Sequence, residues 1–130
     1  MCQGSGVTFF FDRNIGRTVP KALRVLGLAV EGHDEHFAPN TQDDQWMPTV
    51  GRAGWTVIGH DKKFHEINVE LQAIRDHQVG VFYLWGANAK RWDKVRLFAK
   101  VYDKIVTVIQ SQRPPFIYRV YKSGAFKRVL

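Results

Sequence analysis

Hydrophobic residues fall into short continuous runs along the chain, and between these runs apolar side chains recur every three or four positions. The runs predict strands, and the spaced positions predict helices. Strands are predicted at 7–11, 28–32, 55–59 and 79–85, and helices at 18–26, 43–53, 64–77 and about 89–111. Continuously apolar strands that alternate with helices are typical of a parallel sheet covered on both faces. The pattern therefore predicts one α/β domain.

Two segments interrupt this alternation. Residues 33–42 are polar and contain proline and asparagine, which predicts a loop. Residues 116–130 predict a β-hairpin that turns at Ser123 and Gly124. On the long helix before it, Trp92 and Tyr102 stand at helical spacing among other apolar residues, and this favours the core over a role in stacking on nucleic-acid bases.

Charge is distributed unevenly along the chain. Residues 88–130 contain eleven Lys or Arg against two Asp, a net charge of +9, whereas residues 1–87 contain eight Lys or Arg against ten Asp or Glu, a net charge of −2. A basic surface favours polyanions, above all nucleic acid. A solvated helix face that keeps the protein soluble explains the charge equally well.

Several classes of protein fit the sequence poorly. One cysteine, Cys2, excludes an internal disulfide framework and fits a reducing compartment. No apolar run is long enough to span a bilayer, so a cytoplasmic protein without a membrane partner is expected. Neither a Walker-type phosphate loop nor a dinucleotide fingerprint follows the first strand. His33 and His36 flank two acids, but no Cys or His spacing supports a structural zinc.

Acidic residues collect at the predicted carboxyl ends of the strands. Asp12 follows the first strand, Asp34 the second and Asp61 the third, and Asp43 opens a helix. Ligands of open parallel sheets bind at this edge. Converging carboxylates repel one another unless a cation neutralises them, and Mg²⁺ or Mn²⁺ suits an all-oxygen site. Beside a basic surface, such a site suits metal-dependent cleavage of phosphodiester bonds.

Each acid taken alone has a structural explanation as well. Asp43 alone is more often a helix N-cap, Asp34 can bond to its own backbone, and Asp61 can cap the next helix. Asp12 is harder to explain, because a carboxylate at the end of a buried strand needs a partner and Arg13 supplies only part of one. The joint placement of the acids is therefore the stronger signal.

Four segments carry a family resemblance, namely FFFDRNIGRTVPKALRVLG, HDEHF, DDQWMPTVGRAGW and VIGHDKKF. They resemble the PIN-like nuclease domains, most closely the compact branch that includes the VapC-type toxins of bacterial toxin–antitoxin pairs. The likeness covers about residues 7–85 and leaves the basic C-terminal extension, residues 88–130, outside the core. It implies a single three-layer α/β/α domain with a central parallel sheet, and a ribonuclease that uses Mg²⁺ or Mn²⁺.

The resemblance also implies roles for individual acids. Asp12, Asp43 and Asp61 correspond to catalytic metal ligands. Asp34 corresponds to an acid that often joins them in binding the metal ion. Asp44 is an alternative to Asp43, and whether it replaces or joins Asp43 stays open.

Basic residues divide between substrate contacts and one departure from the family pattern. Arg13, Lys62, Lys90 and Lys94 are expected to bind the RNA backbone. Lys63 stands where related sequences often carry a second acid. The number of metal ions bound, one or two, therefore stays open.

The partners implied are an RNA substrate, a cognate antitoxin and a second copy of the chain. One alternative is a PIN-like scaffold that has lost catalysis and binds RNA or a protein, and Lys63 is its best support. Another is a phosphate-accepting signalling domain, which also collects acids at strand ends but fits a strongly basic chain poorly.

Overall fold

The computed structural model of the chain describes residues 6–60 and 68–130. Its strands are β1 (Phe9–Phe11), β2 (Val30–Gly32), β3 (Thr56–His60), β4 (Gly80–Leu84), β5 (Phe116–Val120) and β6 (Phe126–Arg128). Its helices are α1 (Thr18–Val25), α2 (His33–His36), α3 (Asp43–Ala53), α4 (Asn68–Asp76) and α5 (Arg91–Ser111), and a short 3₁₀ helix (Arg13–Ile15) follows β1.

The strands described form a six-stranded sheet in the order β2-β1-β3-β4-β5-β6. The first five in this order are parallel to their neighbours, and β6 is antiparallel to β5. Because these five strands run in the same direction, their carboxyl ends share one edge of the sheet. Along this edge β1 lies between β2 and β3, and β4 and β5 follow beyond β3.

Helices cover both faces of this sheet. Successive side chains of a strand point to opposite faces, so Phe9 and Phe11 join one core and Phe10 joins the other. The first core includes buried residues of α1 and α5, and the second includes buried residues of α3 and α4. This arrangement confirms the predicted three-layer α/β fold with a parallel sheet.

Two local predictions are corrected. The segment 33–42, predicted to be a loop, begins with the four-residue helix α2, because the Glu35 carboxylate accepts a hydrogen bond of 2.8 Å from the Gly32 amide and caps the turn. The N-cap of α3 is Gln42 rather than Asp43, since the Gln45 side chain accepts a 3.0 Å bond from the Gln42 amide. Residues 64–67 of the predicted fourth helix lie outside the described residues.

The C-terminal hairpin is confirmed, with β5 and β6 paired and the turn at residues 121–124 between them. Its first strand also pairs in parallel with β4 along all five residues of each strand. Residues 91–120 therefore add one more helix and parallel strand to the sheet.

One prediction about α5 is wrong. Trp92 is exposed on the first turn of α5 and is not a core residue, whereas Tyr102 packs against Phe9 and Phe98. In the described part of the chain, no helix combines the length and the apolar content that crossing a membrane requires.

Candidate functional site

Different residues stand at the carboxyl edge above each strand. Asp12 directly follows β1, and Asp34 comes two residues after β2. On the other side of β3, Trp85 follows β4 and Tyr121 follows β5. The edge is therefore acidic above β1 and β2 and aromatic above β4 and β5.

Asp12 is held inside the protein, where its side chain is only 2% exposed. Its carboxylate Oδ1 accepts a 2.7 Å hydrogen bond from the Arg13 amide and so caps the 3₁₀ helix. Its own amide donates to the Ile58 carbonyl of β3 at 2.9 Å. The Arg13 guanidinium instead donates to the Pro39 carbonyl, so the contact that Arg13 makes with this carboxylate comes from its backbone.

His33 is a buried residue at the centre of the acidic part of the edge. It is 2% exposed, and its ring lies 5.6 to 6.2 Å, between centroids, from those of Phe10, Phe37 and Trp46. Its buried Nε2 atom has no hydrogen-bond partner among the residues that the structure describes. Burial lowers the pKa of His33, and the positive charge of Arg13 lowers it further. At neutral pH the ring is therefore an uncharged imidazole.

Three carboxylates act on His33 electrostatically. Asp12, Asp43 and Asp34 each favour its protonated form and oppose the effect of burial on its pKa. Three of the predicted site acids therefore act on the charge of one buried imidazole, although His33 attracts notice in the sequence only through a zinc site that no Cys or His spacing supports.

Asp34 faces the solvent side of this site. Its Oδ2 lies 3.7 Å from Nε of Arg17, and both residues border a cavity of about 240 Å³. The residues that line this cavity are Arg13, Gly16, Arg17, His33, Asp34 and Pro39. It is therefore a small opening that borders the buried imidazole and has two arginines in its lining.

Asp43 and Asp44 have different environments. Asp43 is half-buried as the first residue of α3, and its Oδ1 accepts a 3.1 Å hydrogen bond from the indole Nε1 of Trp46. Asp44 is exposed. Since the Trp46 ring also contacts His33, Asp43 rather than Asp44 is connected to the centre of the site.

The remaining predicted residues fall elsewhere. Asp61 and Lys62 lie outside the described residues. Lys90 is exposed immediately before α5 and borders a cavity of about 600 Å³ beside β4 and β5. Lys94 is half-buried one turn further along α5. Lys90 therefore belongs to the aromatic part of the edge, whereas Lys94 does not line the cavity there.

Carboxylate oxygens at one edge have the donor chemistry that Mg²⁺ and Mn²⁺ prefer. The buried Nε2 atom of His33 lies in the same neighbourhood as a further candidate donor. Within residues 6–60 and 68–130, however, no group of three or more His, Cys, Asp or Glu is close enough to form a metal-binding cluster. The described donor atoms are of the types that bind a divalent cation. No three of the described donor residues lie close enough together to form a complete site.

The fold and this edge define an α/β domain whose candidate ligand site lies at the carboxyl ends of parallel strands. A sequence model described as "PIN like domain" matches residues 7–86, well over half of the chain. The chain therefore belongs to the PIN-like domain family, as its resemblance implied. PIN-like domains are generally nucleases, and those nucleases typically use divalent metals. Searches among curated proteins and among solved structures found no match.

Proposed function

We propose that this protein is a ribonuclease that hydrolyses RNA phosphodiester bonds with the help of Mg²⁺ or Mn²⁺. The observation that carries the proposal is the position of Asp12 and Asp34 just after β1 and β2, at the carboxyl edge of the sheet. Asp34 borders the same cavity as the buried His33, and Asp43 bonds to Trp46, whose ring packs against His33. Membership of a family of nucleases supports the same reaction class.

In this proposal, Asp12, Asp34, Asp43 and Asp61 hold the cation. A bound divalent ion supplies an activated water and stabilises the negative charge that develops on the phosphate. The protein orients its carboxylates through neighbouring groups: the Arg13 amide holds Asp12, and the Trp46 indole holds Asp43.

Two further groups have roles in substrate binding. Arg17, together with Arg13, borders the opening above His33 and offers positive charge to a phosphate that approaches Asp34. Lys62, next to Asp61 in the sequence, is proposed as a further contact to the RNA backbone.

We further propose that the protein is the cytoplasmic toxin of a toxin–antitoxin pair. The resemblance to VapC-type toxins supports this, and the net charge of +9 on residues 88–130 suits an acidic segment of an antitoxin as well as RNA. A homodimer belongs to the same proposal. A neighbouring reading frame that encodes a small DNA-binding protein would support the pairing, and loss of growth inhibition on coexpression of the two proteins would test it.

The nuclease proposal is tested with Asp12→Asn, which removes one charge from a buried carboxylate and keeps its size. RNA cleavage in Mn²⁺ should fall about 100-fold or more, because even groups that only orient a metal ligand change metal affinity by up to that factor. Cleavage of a labelled RNA is followed on a denaturing gel.

Asp76→Asn is the matched control, since Asp76 is an exposed acid at the end of α4 whose contact is with Gln72. It should cleave at the parental rate. Isothermal titration calorimetry with Mn²⁺ is run on the same three proteins. An Asp12→Asn protein that is folded and cleaves as fast as the parent would refute the site. Absence of Mn²⁺ binding to the parent would favour the non-catalytic scaffold.

A further inference from the structure

Two aromatic side chains are exposed side by side at the carboxyl edge, above β4 and β5. Trp85 is 40% exposed and Tyr121 is 43% exposed. The Trp85 amide donates a 2.9 Å hydrogen bond to the Val120 carbonyl, which keeps the ends of the two strands together. We call Trp85 and Tyr121 the aromatic platform. Exposed aromatic rings on a rigid sheet edge are costly to leave in water and suit a flat apolar ligand.

Two open cavities include Trp85 in their lining. One has a volume of about 600 Å³ and also borders Tyr121, and the other has a volume of about 610 Å³ and runs along α5. Trp85 and Asp93 line both cavities. Because the two cavities share these two residues they adjoin each other at Trp85, and together they are called the groove.

Positive charge surrounds this groove. Among the described residues that line the two cavities, five are basic and one, Asp93, is acidic. The basic residues are Lys90, Arg96, Lys100, Arg119 and Lys122. The Lys122 ammonium lies 5.1 Å from the centre of the Trp85 ring. A ligand of matching chemistry has flat aromatic groups and repeated negative charges.

We propose that this groove binds a single-stranded nucleic acid, whose bases stack on Trp85 and Tyr121 while its phosphates contact the surrounding Lys and Arg side chains. Single strands are bound in this way because every base has a face free for stacking and every linkage carries a charge. A duplex offers the charge without the free base faces. Tyr121 and all five basic residues of the groove lie outside the segment that matches the family, residues 7–86.

The groove lies close to the acidic site, and in this respect the inference rests on the proposed function. β4 is two strands from β1, and β5 is three strands from it. Neighbouring strands are about 4.8 Å apart, so the platform lies roughly 10 to 15 Å from the end of β1. One bound strand of several nucleotides can therefore occupy the groove and reach Asp12.

The experiment measures binding without cleavage. The parent protein is titrated into a fluorescein-labelled RNA of about 12 nucleotides in EDTA, and fluorescence anisotropy gives Kd. Trp85→Ala should weaken binding about 5- to 100-fold, because loss of one stacked base has an effect of this size. Trp85→Phe, which keeps an aromatic face, should recover most of the affinity. Binding of a duplex of equal length should not change in either variant.

Trp92→Ala is the matched control for the platform. Trp92 is 68% exposed on the first turn of α5, more exposed than Trp85, but it lines neither cavity. Its removal should change Kd less than about twofold. Thermal unfolding by circular dichroism confirms that each variant is folded.

Lys122→Ala and Lys127→Ala test the charged part of the proposal. Lys122 borders the groove, whereas Lys127 is exposed on β6 and borders neither cavity. Loss of a phosphate contact at Lys122 should reduce the slope of log Kd against log salt by about 0.7, and Lys127→Ala should leave the slope unchanged.

Several results would overturn the inference. One is a folded Trp85→Ala variant that binds the single strand as tightly as the parent. Another is an equal loss on duplex RNA, or competition by oligoglutamate as effective as that by unlabelled RNA, since both would show that charge alone is recognised. Binding of an acidic peptide that depends on Trp85, without binding of RNA, would assign the groove to a protein partner.

Failure of the inference is distinguishable from failure of the proposed function. If the parent protein binds RNA through Trp85 but does not cleave it in Mn²⁺, the binding groove is supported and the proposed nuclease activity is refuted. If the parent cleaves RNA and Trp85→Ala binds it as tightly as the parent, the nuclease activity is supported and the binding groove is refuted. A labelled single-stranded DNA, run in parallel, shows whether the 2′-hydroxyl contributes.

Discussion

Glu35 is an acid at the same edge that has a structural task. Its carboxylate oxygens lie 2.5 and 2.7 Å from the two terminal nitrogens of Arg24 in a bidentate pair. The same Arg24 side chain donates to the Val30 carbonyl. The pair therefore joins α1 to β2 and α2, and it lowers the pKa of Glu35 to about 2. These contacts satisfy the charge of Glu35 without a metal.

Glu35→Gln should make stability depend less on pH. The folded pKa of about 2 is below the ordinary value of 4.5, so the stabilisation is complete above about pH 4.5 and is lost as pH falls towards 2. Because the Arg24 side chain is 41% exposed, solvent screening limits the effect to about 1 kcal/mol at pH 7. Urea unfolding at pH 7 and pH 3 measures the difference.

The variant Asp103→Asn, which changes an exposed acid in the middle of α5, is the control. Its free energy of unfolding should differ from that of the parent by less than about 0.5 kcal/mol at both values of pH. A Glu35→Gln variant as stable as the parent at pH 7 would show that the Arg24 pair contributes nothing.

Residue environments are the part of the site that the sequence predicts least. Asp12 could be singled out because it directly follows a buried strand. His33 could not, because its burial depends on Phe10 of β1 and Trp46 of α3, which are distant in sequence. The choice between Asp43 and Asp44 likewise depends on which of the two faces the Trp46 indole.

At the scale of elements, α3 and α4 approach closely at one glycine. A Cβ atom added at Gly51 of α3 would lie 2.2 Å from the backbone carbonyl oxygen of His77, just after α4. A backbone atom cannot move aside as the end of a side chain can. The absence of a side chain at residue 51 therefore sets the distance between the two helices on this face of the sheet.

Gly51→Ala should destabilise the protein although alanine favours helices. The clash should cost about 2 kcal/mol, the size seen when extra atoms enter a packed interior, and this exceeds the gain of up to about 1 kcal/mol in helix propensity. The change is measured by urea unfolding, with Arg52→Ala, an exposed neighbour on α3, as the control. A Gly51→Ala protein more stable than the parent would mean that the helices separate without cost.

Most elements could be predicted from the spacing of apolar residues, because a buried strand is continuously apolar whereas a half-buried helix has an apolar residue every three or four positions. The 3₁₀ helix and α2 are exceptions, because elements of three and four residues are too short to show a periodic pattern. A local signal for α2 was nevertheless present, since Glu35 stands three residues after Gly32 and caps the turn from there.

At the scale of the whole molecule, the C-terminal segment is part of the core. The ring of Phe98 in α5 lies 5.4 Å from that of Phe9 and 5.5 Å from that of Phe11, both in β1. β5 covers the edge of β4 through a full parallel ladder. Residues 91–120 thus cover one face of the sheet and the β4 edge within the segment that the family model matches.

A chain truncated after residue 87 should therefore fail to form a stable monomer. Without α5, Phe9 and Phe11 lose their aromatic partner, and without β5 the apolar strand β4 becomes an exposed edge that promotes aggregation. Size-exclusion chromatography and circular dichroism check this. Removal of residues 129–130 alone is the control and should leave a folded monomeric peak. A folded, monomeric 1–87 fragment would contradict the account.

The sequence by itself determined the alternation of strands and helices, the family and the order of acids at strand ends, because these depend on local spacing and on short motifs. Only the tertiary structure decided that the buried His33 packs against Trp46, the hydrogen-bond partner of Asp43, and that β5 extends the parallel sheet. It also decided that Trp85 and Tyr121 stand together in a basic groove. These features depend on which distant segments become neighbours, and strand order rather than sequence distance sets that.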